Sequence, residues 1–233
     1  MAVRGQALWL VVILVFALSA LRGVGVAADC RYGPAAKVDW SDCRKRQLML
    51  GGSDFDDANL YNADFSMTDL SNSSLRGANF EKATLIRASL ANSRAEGAKF
   101  DRIEAYRAEM GSLTADKASF IAAEMQRVNL SGASLLETDF TKAELGRVNM
   151  EKAIISGARF KLANLSRAIL QNAVIKEPVD FEDAFMFRTR IEGLDLSQAT
   201  GLIQDQIDLA CGDQSTKLPP GLKVPASWPC PAD

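Results

Sequence analysis

The sequence predicts a solenoid of short repeats, and three observations carry that expectation. From Leu50 to Ile175, every fifth residue is Leu, Phe, Met or Ile at 23 of 26 positions. The residue two before each of these is Ala at 16 of the 26 and Ser, Thr or Val at seven more. A period of five fits neither an amphipathic helix, which repeats at 3.6, nor a half-buried strand, which alternates at two. Held over about 130 residues, it calls for a repeat architecture.

The units Ala58-Asn59-Leu60-Tyr61-Asn62, Ala78-Asn79-Phe80-Glu81-Lys82 and Ala163-Asn164-Leu165-Ser166-Arg167 are the clearest. They are similar to the A(D/N)LXX motif of the pentapeptide-repeat family, and residues 48–198 resemble that family throughout. The resemblance implies an all-β fold, a right-handed quadrilateral β-helix in which four pentapeptides form the four sides of one coil. Residues 48–198 then make about 7.5 coils.

Four sides of five residues predict a second period of 20. Phe80, Phe100, Phe120, Phe140 and Phe160 fall on one side and predict an internal ladder of rings. Arg87, Arg107, Arg127, Arg147 and Arg167 repeat at the same interval at outward positions. Both ladders continue one residue late, at Phe181 and Arg188, so one residue is inserted near Glu177-Pro178. Proline lacks a ladder N–H, which makes it a natural place for a bulge. Met186, Ile191 and Leu196 carry the shifted centres onward. Ala105 and Ala115 are small for centres, but Ile103 and Leu113 two before them are large, which roughly conserves volume. Ala95 with Ser93 has no such compensation, and looser packing is expected there.

The flanks differ in kind. Residues 1–28 combine Arg4, an apolar run over 7–20 and the small residues Val26-Ala27-Ala28, the composition of a signal peptide cleaved near Ala28, the alternative being an uncleaved N-terminal anchor. The chain is therefore expected to be periplasmic or secreted, with no stable membrane span after cleavage. Residues 29–47 are expected to cap the solenoid at its start and residues 199–233 at its end. The second cap should hold a short helix from Gln204 to Cys211, stopped at Gly212, and a proline-rich tail. Segments 39–43, 210–213 and 218–222 look like the flanks of exported bacterial members of the family.

An even set of four cysteines, Cys30, Cys43, Cys211 and Cys230, suggests two disulfides in an oxidising compartment, with three connectivities open. The coil implied by the resemblance separates the caps by ~36 Å at ~4.8 Å per coil. A disulfide needs Cα atoms within about 7 Å, so Cys30–Cys43 and Cys211–Cys230 are the expected pairs.

Function is less legible. The chain has no histidine, which removes the commonest general acid/base and neutral metal ligand. Neither a nucleophile elbow nor a phosphate-binding glycine loop is present. No enzyme, cofactor or metal is expected, and Asp54, Asp56 and Asp57 read as a solvated acidic corner. The formal net charge of -2 becomes -4 once residues 1–28 are removed, too near neutral to imply a polyanion partner by itself. Glu104, Glu124 and Glu144 stand three residues before Arg107, Arg127 and Arg147, which reads as alternating ion pairs on a solvated face. The alternative is a polyanion-binding strip centred on Arg87, Arg167 and Arg188. Phe185 and Phe187 flank Met186 as an exposed apolar patch fit for a partner or a dimer, the alternative being packing against the cap, and Tyr61 and Tyr106 also face outward.

The expectation is thus an extracytoplasmic, non-enzymatic structural or protein-interaction module whose partner is an unknown protein of the cell envelope. A homodimer through an end cap is a further expectation. The resemblance also implies a rival, since some cytoplasmic members mimic duplex DNA and protect DNA gyrase. The signal segment and the arginine ladder both argue against nucleic-acid mimicry here.

Overall fold

The structure is a computed structural model and describes residues 29–231. The expected signal peptide, residues 1–28, lies outside the described residues.

One pentapeptide explains the whole coil. In Ala78-Asn79-Phe80-Glu81-Lys82, Ala78 and Phe80 are fully buried. Asn79 lies between them at mid-side and forms parallel bridges to Asn59 and Lys99. Glu81 and Lys82 turn the corner, with Lys82 in the left-handed region at φ 61. The backbone groups are satisfied from both neighbouring coils. Phe80 N–H donates to Lys99 O at 2.7 Å, Lys82 N–H to Asp101 O at 2.9 Å, and Asn79 N–H to Ala58 O at 2.9 Å. Ala83 N–H then closes the corner onto Phe80 O at 2.8 Å. Each side pairs through a single bridged residue, so the solenoid is built of isolated bridges joining residues 20 apart and not of extended strands.

The bridges begin at Asp39↔Asn59 and end at Asp195↔Lys217. Both flanks therefore contribute sides of the solenoid. At the start, Val38 and Trp40, then Cys43 and Lys45, continue the small–large pattern. Counting from Leu50 misses them because a lysine occupies a centre.

Inside, Phe80, Phe100, Phe120, Phe140, Phe160 and Phe181 stack with successive centroids 4.9, 4.7, 5.1, 5.2 and 5.3 Å apart. Ring planes stay within 17° of parallel, because each ring sits at the same place on successive coils. Phe65 and Trp40 extend the aromatic core toward the first coil at larger tilts. The swapped pairs Ile103/Ala105 and Leu113/Ala115 are fully buried, and so are Ser93 and Ala95. Ser93 Oγ accepts from Ser73 N–H at 3.1 Å and donates to Leu70 O at 2.9 Å. Hydrogen bonding thus occupies the place where side-chain volume is smallest.

The inserted residue is visible in the register. Arg159↔Asp180, Asn164↔Phe185 and Ile169↔Arg190 are bridges 21 apart. Val179 and Phe181 return to the core immediately after Pro178.

Both ends are closed. Cys30–Cys43 has its Cα atoms 5.6 Å apart and Cys211–Cys230 5.4 Å apart. The helix α1 spans Gln204–Leu209. It stops short of Cys211 because Cys211 bridges Arg190 and joins the disulfide. The buried Gln206 side chain donates to both Phe181 O and Ala184 O at 2.9 Å, satisfying carbonyls of the coil below. In the tail, Trp228 Nε1 donates to Ala210 O at 2.7 Å. Among the described residues no helix is long and apolar enough to cross a membrane.

Candidate interaction surface

The arginine ladder is a corner of the solenoid. Arg87, Arg107, Arg127, Arg147, Arg167 and Arg188 each occupy the second turn position, with φ between 53 and 61. An L-residue there costs roughly 1–2 kcal/mol in isolation. The coil imposes the conformation because the same N–H must reach the next coil: Arg127 N–H donates to Gly146 O at 2.9 Å and Arg147 N–H to Ser166 O at 2.8 Å. Arginines at this corner are thus stacked one per coil along the rod.

The ion pairs expected with Glu104, Glu124 and Glu144 do not form. Among the described residues, the guanidiniums of Arg87, Arg127, Arg147 and Arg167 and the carboxylates of Glu104 and Glu124 have no ion-pair or hydrogen-bond partner. Arg107 lies against the Tyr106 ring, 5.2 Å from its centroid. Glu144 Oε2 accepts from Asn164 Nδ2 at 2.8 Å. The reason is geometric: three residues around a coil carry the chain from mid-side past the corner, whereas the next coil is one bridge away. Most pairing elsewhere runs along the rod, as in Arg76–Asp56 and Arg159–Asp139, both 2.7 Å and both 20 residues apart, although Arg190 pairs within its own side with Glu192. Burial pushes the Asp139 carboxyl up, but bonds from Thr141 and Arg159 outweigh it and hold its pKa below the usual value.

Two shallow clefts open on the arginine corner. One, of ≈ 540 Å³, is lined by Gln126, Arg127, Gly146, Arg147, Ser166 and Arg167. The small residues Gly146 and Ser166 stand where Tyr106 and Phe187 occupy other coils, which leaves the notch. The second, of ≈ 230 Å³, lies nearer the first coil and includes Arg87, Ile86 and Tyr106.

A family model for pentapeptide repeats matches residues 46–77, 68–102, 116–151 and 143–176, in eight copies. The chain is a pentapeptide-repeat protein. A search of curated proteins finds no match. Among solved structures, it is similar to HetL from the cyanobacterium Nostoc sp. strain PCC 7120, a pentapeptide-repeat protein involved in heterocyst differentiation regulation. That likeness has 19% identity and TM-score 0.41, covering 80% of this chain and 91% of HetL. It is also similar to QnrB1, a plasmid-mediated fluoroquinolone resistance protein, at 13% identity and TM-score 0.47 over 78% of this chain and 91% of that one. A pentapeptide-repeat protein of the Arabidopsis thaliana thylakoid lumen is 25% identical over 50% of this chain and 68% of its own, with TM-score 0.26.

Toward the last coils of this pentapeptide-repeat protein, Phe185 and Phe187 are 50% and 40% exposed, and their rings stack 6.4 Å apart. Phe185 stands at mid-side above Asn164, and Phe187 stands at the corner beside Arg188. The aromatic patch and the arginine column therefore belong to one continuous strip. Tyr61, on another corner, accepts from Lys82 Nζ at 2.7 Å. Within the acidic corner Asp56 accepts from Arg76 and Ser74, and Asp54 accepts from the Asp56 N–H. Among the described residues no group of three or more His, Cys, Asp or Glu could hold a metal ion. A third cleft, of ≈ 280 Å³, lies where the inserted residue sits, lined by Leu136, Ile154, Val174, Glu137 and Glu177 among others. Its only signal in the sequence is the register slip at Pro178.

Proposed function

We propose that this protein works outside the cytoplasm as a non-enzymatic interaction module. In this reading the repeats form a right-handed, four-sided rod between closed ends, about 7.5 coils of it over residues 48–198, with further sides from both flanks. The rod presents its arginine corner to a protein partner of the cell envelope. The observation that carries the reading is the run of exposed arginines Arg87, Arg107, Arg127 and Arg147, which have no ion pair among the described residues and are fixed on a scaffold held by backbone bonds from coil to coil. Two disulfides support an oxidising compartment, as does the composition of residues 1–28. The lack of histidine and of a catalytic constellation supports a binding role. Duplex mimicry is disfavoured, because a corner of arginines has the wrong sign for a surrogate of DNA.

The test is fractionation of the tagged full chain, followed by affinity capture from the envelope fraction. The expected result is export, with a partner captured by the wild type and lost from an Arg127→Glu/Arg147→Glu variant. Cytoplasmic retention with residues 1–28 intact would overturn the compartment, and capture indifferent to the two reversals would overturn the surface. A second reading, binding of a polyanion, is favoured by the cleft between Arg127, Arg147 and Arg167. It predicts retention on heparin at low salt that is released as salt rises.

A further inference from the structure

We propose that the arginine corner and the side beside it form a self-complementary strip on which two copies of this chain pair side by side, rods parallel. The proposal rests on the reading of that corner as an interaction surface and names its occupant. Two columns run along the strip. One is the bridged mid-side series Glu104, Glu124, Glu144, Asn164 and Phe185. The other is the corner series Arg107, Arg127, Arg147, Arg167 and Arg188, three residues further round each coil. Both columns follow the same coil repeat, so each glutamate has an arginine at its own level. Among the described residues, none of Glu104, Glu124, Glu144, Arg107, Arg127 and Arg147 has an ion pair; Glu144 meets only the Asn164 amide and Arg107 only the Tyr106 ring.

A twofold axis parallel to the rods exchanges the columns. Glu104, Glu124 and Glu144 of one copy then face Arg107, Arg127 and Arg147 of the other, and the reverse contacts follow, as an isologous interface requires. The same exchange brings Phe185 of one copy against Phe187 of the other. An apolar anchor thus sits at one end of the strip, and the charged columns set register and direction. An antiparallel twofold would set Glu on Glu and Arg on Arg. Pairing through the ends has less to offer, because Lys45 and Cys30–Cys43 cover the core at one end and Gln206 with α1 covers it at the other. A polyanion along the corner would run beside three carboxylates, so a second copy is the better fit.

Exposed ion pairs are individually weak, so the dimer should form at micromolar protein in low salt and dissociate as salt screens it. Sedimentation of the oxidised protein measures this directly. Arg107→Glu/Arg127→Glu/Arg147→Glu and Glu104→Arg/Glu124→Arg/Glu144→Arg should each be monomeric, and an equimolar mixture should sediment as a heterodimer. Circular dichroism checks that each triple variant keeps the fold. Phe185→Ser/Phe187→Ser, which alters no charge, should weaken the wild-type dimer at least tenfold. A wild type that stays monomeric, or a dimer that survives both reversals, overturns the proposal. A monomer that still loses its envelope partner on arginine reversal overturns self-pairing and leaves the interaction reading standing. A monomer held on heparin at low salt overturns it in favour of a polyanion.

Discussion

The ammonium of Lys45 sits 3.4 Å from the centroid of the Trp40 ring. It occupies a centre position, where every later coil carries an apolar residue or alanine, and it donates to Cys30 O at 2.6 Å. Burial pushes its pKa down, and the nearby Asp29 carboxylate opposes that shift. The lysine closes the first coil: its stem packs in the core and its charge binds the strap made by Cys30–Cys43. Lys45→Ala should cost ~2–3 kcal/mol, from the cation–π contact and a charged hydrogen bond. Lys45→Met, which keeps most of the stem, should cost about half as much. Urea unfolding checks the totals. Hydrogen exchange should show the loss confined to the first coils, because each coil of a solenoid contacts only its neighbours.

The opposite cap depends on a close approach. A Cβ at Gly212 would overlap Cζ3, Cη2 and Cε3 of the Trp228 ring. The ring is held by its bond to Ala210 O and by the neighbouring Cys211–Cys230 bridge. Gly212→Ala should therefore expel the indole, shift tryptophan emission to the red and destabilise by ~1–3 kcal/mol. Unchanged emission would show that the tail relaxes as a unit.

These two caps show where sequence reasoning stopped. The period of five, the phenylalanine stack, the slip at Pro178 and the cysteine pairing are all legible, since each follows from repetition or from the reach of a bond. The first sides of the coil are not, because Lys45 breaks the apolar count while still filling a centre. The ion pairs expected between Glu104, Glu124, Glu144 and the arginines also fail, for a related reason. Offsets along the chain do not reveal that a corner intervenes, nor that the nearest neighbour lies 20 residues away. The cleft between Arg127 and Arg167 was hidden for the same reason, since its floor is made by small residues on successive coils.

Acid should loosen the solenoid through its mid-side aspartates. Asp195 has its pKa lowered to about 2, chiefly by the hydrogen bond from Lys217 and then by those from Ser197. Asp39 and Asp69 are lowered too, first by the hydroxyls of Ser41 and Ser71 two residues on. A carboxyl held below its unfolded value of ~3.9 contributes stability above that pH and loses it as the pH falls through the folded value. The thermal midpoint should therefore fall as pH drops from ~4 toward ~2. NMR titration should place Asp195 near its low value, and Lys217→Gln should raise it while leaving it below the ordinary range, because the Ser197 bonds remain. An Asp195 midpoint unmoved by Lys217→Gln would show that the ion pair does not hold it.

Buried hydroxyls at the small positions should differ sharply in worth. Thr138 Oγ1 donates to Ala115 O at 2.9 Å, but that corner is already closed by Ala118 N–H at 3.0 Å on the same carbonyl. Ser93 has a harder task. Its hydroxyl stands between Ser73 N–H and Leu70 O, completing a corner that elsewhere closes directly, as at Ala83 N–H on Phe80 O. Removing it strands a buried donor and a buried acceptor, a loss of ~1–3 kcal/mol, whereas a supplementary bond is worth about 0.5–1.5 kcal/mol. Ser93→Ala should thus destabilise clearly more than Thr138→Ala, although serine loses the smaller side chain. Equilibrium unfolding of the two variants tests the order. Equal or reversed costs would mean that the Ser73 corner closes onto Leu70 O without help, and that Ser93 marks a soft point of the rod and not a brace.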